Sequence, residues 1–402
     1  MRHALIIGGG LAGATTALAL RKAGLESTIF EAHAESAEGV GGFLTVAVNG
    51  QHALNALGCG HVLEGGFDTP RMALYSGTGK RLAAFDYGPS LPNGVVACTI
   101  SRPVLYGALR REALEAGIEI VHGKRLVEAE PGSAGVTAHF ADGTDAHGDL
   151  LIGADGLRSR TRTVIDAAAP AARYTGLLNT GGYARGLSLD AAPGVLTFVF
   201  GRRGFFGYVV HPDNTVWWFA NLTAPDEPAA TELSTMDIRA RLNATFAHDR
   251  SPALDIVSHS PDMTTPFGTY DFPTVPTWHR DAMVIVGDAA HAASPSAGQG
   301  ASMAFEDAVV LARALRDRPS IPGAFAAYEH QRRERVERVV AWGKKAGDGK
   351  APGLFRRLLR DHVVFPLFVS RGADRTTADP QAWMYEFPFT WDTGRPDYDR
   401  TE

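Results

Sequence analysis

The sequence predicts an α/β protein in which a Rossmann-like domain carries an inserted antiparallel β-sheet domain and C-terminal helices. Three observations support this prediction. Residues 3–30 read as a strand, a glycine-rich turn, a helix and a second strand. Two later buried strands, near residues 150 and 283, each end in a turn of glycine and aspartate. Between them, residues 195–222 contain three β-type runs separated by turn residues, the pattern of an antiparallel meander.

Composition limits the classes of protein to consider. The 402 residues are 45% hydrophobic and 21% charged, enough for a sizeable core in two or three structural units. A net charge of −5 and a pI near 6.3 give no sign of a nucleic-acid-binding surface. The basic run at 332–335 includes an acid, so we interpret it as the solvated face of a helix.

Cysteine and histidine usage points to a cytoplasmic protein without a metal site. Cys59 and Cys98 are too far apart for a CxxC motif and too few for a disulfide framework. The histidines lack metal-ligand spacing. We expect neither a secretion signal nor a membrane-spanning segment, which would need about 20 apolar residues; a peripheral membrane contact and the oligomeric state stay open.

The first motif predicts a nucleotide-binding β-α-β unit. The apolar strand 3–7 ends in glycines, and helical spacing follows over 12–23. Gly8 permits a tight turn, Gly10 lets backbone N–H groups approach a pyrophosphate, and Gly13 lets the helix pack against the strand. The phosphates would lie at a helix N-terminus.

An acid at the end of the second strand completes the first motif. Glu31 follows the strand 27–30 and is placed to accept hydrogen bonds from ribose hydroxyls. A glycine-rich turn that only packs is the structural alternative. The motif does not distinguish FAD from NAD.

Two later segments repeat the combination of strand and glycine turn. Residues 150–152 lead into Gly-Ala-Asp-Gly at 153–156. Residues 283–286 lead to Asp288, which stands where ligands meet the carboxyl end of a parallel strand. A helix follows Gly300, and its N-terminal N–H groups would stabilise an anionic ligand.

Together, the three segments resemble the single-component FAD-dependent aromatic hydroxylases, the flavoprotein monooxygenases of the para-hydroxybenzoate hydroxylase type, over nearly the whole chain. The resemblance implies that FAD is the cofactor. It adds Arg102, at the start of a helix that Ser101 could cap, although a surface arginine is the alternative. The FAD-binding residues predicted in this way are Gly8, Gly10, Leu11, Ala12, Gly13, Glu31, Arg102, Asp155, Asp288, Pro295, Gly298, Gln299, Gly300 and Ala301.

The resemblance also implies a reaction. NADPH or NADH reduces FAD, O2 adds at flavin C4a, and the resulting hydroperoxide transfers one oxygen atom to an electron-rich ring. Because the chain has one GxGxxG motif, we expect the nicotinamide cofactor to bind transiently in a shared cleft, with Arg158 as a candidate contact. No catalytic side chain is predicted. His291 can titrate near neutrality, but we favour a structural role for it, as for Glu306 and Asp307 in the following helix.

Three sequence patterns of related flavoproteins are absent or incomplete. The stretch 32–36 lacks the arginine that many relatives carry near the flavin. Residues 205–211 match the first part of the Baeyer–Villiger fingerprint FxGxxxHxxxW, but Thr215 stands at the tryptophan position. The WxWxIP signature of flavin halogenases is absent.

We expect a discontinuous FAD-binding domain, an inserted substrate domain and a C-terminal helical segment that covers the substrate domain or forms a dimer contact. Their predicted ranges are 1–70, 96–172 and 264–345 for the first, 71–95 and 173–263 for the second, and 346–402 for the third.

By resemblance, the inserted sheet covers a cavity over the flavin ring, and aromatic side chains would line it. Because side chains alternate between the faces of a strand, core packing is the alternative for each. Arg185 is a polar candidate for a phenolate or carboxylate, with a surface role equally open. The aromatic candidates are Tyr183, Phe198, Phe200, Phe206, Tyr208 and Trp218.

The sequence therefore predicts a flavin monooxygenase acting on an aromatic or polycyclic small molecule. An aromatic-walled second domain favours oxidative tailoring of a natural product, as in antibiotic biosynthesis. Catabolic hydroxylation of a simple phenol and a redox-silent flavin-binding protein are the alternatives.

Overall fold

A computed structural model describes residues 2–34, 42–89, 94–132, 135–272, 274–348, 382–385 and 390–391. Its strands, in chain order, are β1 (His3–Ile7), β2 (Glu26–Phe30), β3 (Phe43–Val46), β4 (Phe67–Asp68), β5 (Arg71–Ser76), β6 (Arg81–Asp86), β7 (Cys98–Ser101), β8 (Glu119–Val121), β9 (Leu126–Gly132), β10 (Gly135–Phe140), β11 (Asp145–Gly148), β12 (Leu150–Gly153), β13 (Arg173–Ala184), β14 (Val195–Phe200), β15 (Gly204–Val210), β16 (Val216–Thr223), β17 (Phe267–Asp271), β18 (His279–Arg280) and β19 (Met283–Ile285).

The helices lie between and after these strands. In chain order they are α1 (Leu11–Lys22), α2 (Val48–Leu57), α3 (Arg102–Glu115), α4 (Arg160–Ile165), α5 (Ala230–Thr235), α6 (Ile238–Phe246), α7 (Ala253–Ser258), α8 (Asp288–His291), α9 (Gly300–Asp317), α10 (Ile321–Asp348) and α11 (Ala382–Tyr385).

A six-stranded sheet, ordered β18-β19-β12-β1-β2-β8, brings the three glycine-rich segments to one edge. β1 pairs in parallel with β2 and β12, and β12 pairs in parallel with β19. The carboxyl ends of β1, β12 and β19 therefore lie side by side. Ala4, Leu5 and Ile6 are fully buried, as expected for a central strand covered on both faces. The predicted β-α-β unit is confirmed.

A seven-stranded sheet, ordered β17-β13-β16-β15-β14-β5-β6, forms the second layer. The predicted meander is confirmed, because β14, β15 and β16 pair antiparallel in sequence order. The sheet is not wholly antiparallel, since β5 joins β14 in parallel. β17 lies just beyond the predicted domain boundary at 263, yet it pairs with β13.

Two three-stranded sheets complete the fold, with the orders β11-β10-β9 and β3-β7-β4. The second of these packs against the seven-stranded sheet. Phe67 of β4 lies 5.3 Å, between ring centroids, from Trp217 of the seven-stranded sheet.

Buried ion pairs join α9 to α10, and they correct two predictions. Arg332 is fully buried; its Nε donates to Asp307 at 2.7 Å, and its Nη1 donates to Glu306. Arg335 also donates to Glu306, at 2.9 Å. The prediction of a solvated face at 332–335 is wrong, because Arg332 and Arg335 point into the protein to meet these acids. Glu306 and Asp307 are structural, as predicted, but they act through ion pairs rather than the helix dipole.

The electrostatics of this cluster follow from burial and pairing. Burial opposes the ionisation of Glu306, but Arg332 and Arg335 outweigh it and lower the pKa of the carboxyl. The same competition, with His291 and Arg332 as the favourable partners, lowers the pKa of Asp307 to about 2. The cluster therefore holds both acids ionised inside the core.

Described parts of the C-terminal tail pack on the helices. Arg335 donates to the carbonyls of Trp383 and Met384, and the Arg338 guanidinium lies 3.8 Å from the Trp383 ring centroid. Trp391 lies within 5.3 Å of Lys22 Nζ. The rest of the predicted C-terminal segment 346–402, namely 349–381, 386–389 and 392–402, lies outside the described residues.

Across the described ranges, no helix is both long and apolar enough to cross a membrane. The same part of the chain contains no cluster of three or more His, Cys, Asp or Glu side chains suited to a metal ion. Cys59 and Cys98 are free and buried, and burial raises the pKa of each thiol to about 11.

Candidate functional site

The N-terminal glycines form a tight turn with an open side. Gly8 has φ of 103°, and a Cβ there would come within 2.5 Å of the Ala154 carbonyl oxygen. A Cβ on Gly13 would lie 1.9 Å from the Gly8 carbonyl oxygen. At Gly10, by contrast, a Cβ would meet no atom within 4 Å. Gly8 and Gly13 thus permit the turn, while Gly10 leaves room beside the backbone.

This turn places the N-terminus of α1 where it can bind an anion. Gly10 is the N-cap residue, and no side chain caps the helix. Leu11 and Ala12, in the first turn, are half-buried. Uncapped N–H groups and the positive end of the helix dipole favour a phosphate.

Glu31 is held at the end of β2, beside the glycine turn. One carboxylate oxygen accepts from the Gly9 N–H at 2.8 Å, and the other accepts from the His33 N–H at 2.9 Å. Each oxygen can accept a further hydrogen bond. The carboxylate is therefore oriented, and it can still bind a hydroxyl pair.

Asp155 has local partners that the sequence did not reveal. Its carboxylate accepts from Ser159 Oγ at 2.5 Å and from the Thr161 N–H at 2.9 Å. It also accepts from the Thr161 hydroxyl at 3.1 Å. The side chain thus fixes the start of α4, and its predicted contact with a cofactor stays a prediction. Arg158 is exposed, and its guanidinium opposes the increase in the pKa of the neighbouring Tyr270 phenol, whose hydroxyl donates to Glu227.

Arg162 is a residue that sequence reasoning missed. It is 4% exposed, and its guanidinium donates to the carbonyls of Ala289 at 3.0 Å and Leu157 at 2.9 Å. It also lies 4.3 Å from the Phe272 ring centroid. Arg162 therefore connects the middle glycine segment to the C-terminal one. No sequence signal separates it from the exposed arginines nearby.

Asp288 lies at the carboxyl end of the third strand segment, as predicted. Asp288 is accessible to solvent, although its neighbours in the chain are buried. The surrounding protein still removes enough water to raise the pKa of its carboxyl, and the charges of His291 and Arg102 oppose this increase. Gly287, which has φ of 59°, precedes it. A carboxylate that is accessible to solvent but closely surrounded by protein can accept hydrogen bonds from the hydroxyls of a bound sugar or ribityl chain.

Hydrogen bonds to a buried aspartate hold the turn that carries Asp288. Asp307 Oδ2 accepts from the Gly287 N–H at 2.9 Å and meets His291 Nε2 at 2.5 Å. His291 is 3% exposed. The structural role predicted for His291 is confirmed.

A second helix N-terminus lies beyond this turn. Gly298 has φ of 62°, and α9 begins at Gly300 without a side-chain cap. A Cβ at Gly300 would meet nothing within 4 Å. Pro295, in the preceding turn, is exposed, and Ala301, in the first helical turn, is half-buried. The backbone here is open to a ligand.

The Gln299 side chain, however, faces inward. Gln299 is 1% exposed, and its Oε1 accepts from Asn49 Nδ2 at 3.0 Å. Asn49 Nδ2 also donates to Glu306 at 2.7 Å. Gln299 therefore offers its backbone rather than its side chain to a cofactor.

The seven-stranded sheet turns an aromatic face toward this region. We call it the inner face. Phe43, on β3, lies 5.7 Å from Trp217 and 6.0 Å from Phe219, between ring centroids. Directly opposed residues of paired strands share a face. The pairs on the inner face are Met72 with Leu196, Leu74 with Phe198, Phe198 with Gly207, Phe200 with Phe205, Phe205 with Asn221, Gly207 with Phe219, Val209 with Trp217, Asn179 with Asn221, Gly181 with Phe219, and Tyr183 with Trp217.

Three of the predicted substrate residues lie on the opposite face, which we call the outer face. Phe206, Tyr208 and Trp218 occupy the alternate positions of their strands and belong to the core beneath α6 and α7. The Trp218 indole N–H donates to Ser260 Oγ at 2.7 Å. The prediction that these three residues line the cavity is wrong. Phe198, Tyr183 and Phe200 do lie on the inner face.

Arg185 is also outside the inner face. It is exposed and borders a groove of about 560 Å³. Val210 and Val216, which line the same groove, occupy outer-face positions. The prediction that Arg185 lies in the aromatic cavity is wrong, because the chain leaves the sheet after Ala184.

A hydroxyl pair connects the inner face to the start of α3. Tyr183 hydrogen-bonds to the Ser101 side chain; burial raises the pKa of the phenol, and this bond opposes the increase. Ser101 is the N-cap residue, as predicted, but its hydroxyl does not cap the helix. Arg102, the next residue, is exposed and acts electrostatically on Asp288. The inner face therefore meets the glycine-rich segments at this point.

These residues fit FAD. The open N-terminus of α1 suits a pyrophosphate, Glu31 and Asp288 are accessible carboxylates for sugar or ribityl hydroxyls, and the open N-terminus of α9 suits an anionic ring edge. When bound there, FAD would supply the redox chemistry, and the protein would supply orientation and exclusion of water.

Comparisons with known proteins agree with this geometry. Residues 1–343 match the family described as FAD binding domain. The chain is 31% identical over 353 residues to an FAD-dependent urate hydroxylase from Klebsiella pneumoniae, covering 86% of this chain and 89% of that one. It is 30% identical over 393 residues to the aurachin C monooxygenase/isomerase from Stigmatella aurantiaca, covering 94% and 97%.

The fold also matches a solved structure. The crystal structure of Klebsiella pneumoniae HpxO, complexed with FAD and uric acid, aligns with a TM-score of 0.81 at 28% identity. The alignment covers 92% of this chain and 93% of that one.

A 3-amino-4-hydroxybenzoate 2-monooxygenase from Streptomyces platensis is 31% identical over 396 residues, which is 95% of each chain.

Proposed function

Since the chain belongs to the FAD binding domain family and is an FAD-dependent monooxygenase of the aromatic hydroxylase type, we propose that it uses NADPH or NADH to hydroxylate a fused-ring aromatic molecule. The balanced reaction takes up the substrate, O2, one NAD(P)H and one proton. It releases the hydroxylated product, NAD(P)+ and water. The oxygen atom would enter through the flavin chemistry that the family resemblance implies.

One observation carries this proposal: the aromatic inner face meets the glycine-rich segments. Phe43 contacts Trp217 and Phe219, and the Tyr183 hydroxyl pairs with Ser101, next to Arg102. A planar substrate lying against these rings would be held beside the flavin-binding segments. Mostly apolar walls with a few polar groups are typical of small-molecule sites.

The width of the inner face favours more than one ring. Tyr183 on β13 and Phe198 on β14 are separated by β16 and β15. With adjacent strands about 4.8 Å apart, the aromatic surface extends across roughly 14 Å. A single phenol would cover only part of it. This supports tailoring of a polycyclic compound over catabolism of a simple phenol.

The names of the relatives refer to different aromatic compounds. They support an aromatic substrate for this chain rather than one particular compound. We propose that residues 71–95 and 173–263, together with β17, form the substrate-binding unit, and that Arg158 and Asp155 serve the nicotinamide cofactor at the edge of the FAD site. Fold alone does not decide between hydroxylation and other oxygen insertions.

The test is anaerobic reduction of the FAD-loaded enzyme by NADPH and, separately, NADH. Flavin bleaching is followed with and without monocyclic phenols, naphthols and fused-ring quinones. The proposal expects a fused-ring compound to accelerate bleaching more than any monocyclic one. Faster bleaching with simple phenols would favour the catabolic alternative, and no bleaching with any compound would favour a redox-silent flavoprotein.

A further inference from the structure

We propose that the substrate is an uncharged aromatic molecule, and that the site discriminates against carboxylates and other anions. This inference rests on the proposed function and specifies the class of molecule that the same site accepts. It comes from the charge content of the inner face rather than from its shape.

The inner-face positions of β5, β13 (from Asn179), β14, β15 and β16 carry no acidic or basic side chain; all of these positions lie within the described residues. The polar side chains there are neutral: the hydroxyls of Ser76, Tyr183 and Thr223 and the amides of Asn179 and Asn221. Aromatic rings dominate the accessible part, where Phe198, Phe219 and Tyr183 are each half-buried. Such a surface gives an anion no counter-charge.

The basic residues nearest to this face already have a partner or lie elsewhere. His211, just after β15, stacks on Trp217 with ring centroids 5.2 Å apart, and its Nδ1 lies 2.7 Å from an Asp213 carboxylate oxygen. Arg102 is exposed beside Ser101, but it is placed toward Asp288 and the FAD site. Arg185 lies beside the outer-face groove. A substrate carboxylate placed on the inner face would therefore lose its hydration without gaining an ion pair, and this loss is costly in an apolar site.

One polar feature suits a neutral oxygen. The Tyr183 hydroxyl is held by Ser101, and both hydroxyls can donate and accept hydrogen bonds. A phenolic or keto oxygen could bind there while the rings lie on the half-buried Phe219 and Phe198. This geometry recognises an aromatic ring system with one neutral oxygen substituent.

The experiment compares two ligands that differ by one carboxylate, 2-naphthol and 6-hydroxy-2-naphthoate. Each is titrated into the oxidised FAD-loaded enzyme at neutral pH, and the dissociation constant is measured by calorimetry and by perturbation of the flavin spectrum. We expect 2-naphthol to bind ~100-fold more tightly, as an unpaired buried charge would require. Equal binding, tighter binding of the carboxylate, or no binding of either compound would overturn the inference.

A charge-introduction variant sharpens the test. F219R places a guanidinium on the half-buried part of the inner face and should reverse the preference toward the carboxylate. Y75R, at a half-buried position on the outer face of the same sheet, is the matched control and should keep the wild-type preference. If F219R does not retain flavin, the wild-type comparison alone decides.

Failure of this inference differs from failure of the proposed function. If 6-hydroxy-2-naphthoate binds better and also accelerates NAD(P)H-dependent flavin reduction, the monooxygenase proposal stands and the uncharged-substrate inference falls. If no aromatic compound of either kind accelerates reduction, the proposed function itself falls.

Discussion

Replacing Arg332 by alanine should strongly destabilise the protein, because it would leave two buried carboxylates without their shared cation. Arg332, Glu306 and Asp307 are each fully buried. The guanidinium donates to both acids and, at 3.2 Å, to the Met303 carbonyl. After the substitution, Arg335 would still pair with Glu306. Asp307 would lose its guanidinium and keep the His291 ring and the Gly287 N–H as partners.

Breaking a buried ion pair by removing one partner costs about 3–5 kcal/mol. We therefore expect R332A to lose that much free energy of unfolding. The measurement is denaturant-induced unfolding at neutral pH with FAD at a fixed saturating concentration, because bound cofactor itself stabilises the native state.

The control lies two positions away in the same run. Glu334 is exposed, so E334A should change stability by no more than about 0.5 kcal/mol. A double variant, D307N/R332M, removes one carboxylate and its cation together while Glu306 stays paired with Arg335, and it should recover much of the loss. Equal stability of R332A and E334A would refute the reasoning, since it would mean that the cluster is solvated as the charge pattern alone suggested.

Three further predictions test other parts of the account. G10A should retain the fold of the apo protein but weaken FAD binding by about tenfold or more. G13A should disturb the fold itself, because its Cβ would lie 1.9 Å from a carbonyl oxygen. Titration with FAD and thermal unfolding of the apo protein separate the two effects. W218F should cost about 1–3 kcal/mol of stability by leaving the buried Ser260 hydroxyl with one partner fewer, and it should have little effect on substrate affinity. W217F, also a change at a buried ring, should lower both stability and the affinity for aromatic ligands. The pKa of Asp307 is lowered on folding from 3.8 to about 2, so its stabilising contribution is present above pH 3.8 and is lost as the pH falls toward 2; acid titration of stability should show this loss in the wild type and a smaller one in D307N.

The flavin segments could be predicted from sequence because their signals are local. Gly8 and Gly13 are required by contacts within a few residues and with the adjacent strand, and Asp288 follows directly from its position after a buried strand. The positions of strands and helices around them came from the same short-range patterns. Local rules therefore predicted the strands, turns and helices of these segments, and their contacts with FAD stay predictions.

Which face of each strand in the seven-stranded sheet points toward the flavin-binding segments could not be predicted in the same way. Trp217 and Trp218 are adjacent and similar in sequence context, yet one faces the flavin-binding region and the other packs under α6 and α7. A shift of one residue exchanges the faces of a strand, and only the tertiary packing of Phe43 or Phe246 decides between them.

The burial of Arg332, Arg335 and Arg162 was not predicted, for a related reason. A charged run reads as solvated unless its partners are known, and the partners of Arg332 and Arg335 lie in the preceding helix. Arg162 was missed because it binds backbone carbonyls, which leave no trace in a sequence.

The most direct test of the central claim is to follow the oxygen atom. The FAD-loaded enzyme is incubated with NADPH or NADH, 18O2 and the fused-ring compound that best accelerates flavin reduction, and the product is analysed by mass spectrometry. We predict one 18O atom in the aromatic product for each NAD(P)H consumed in coupled turnover. NAD(P)H oxidation that yields only hydrogen peroxide with every substrate, or a product whose new oxygen comes from water, would contradict it.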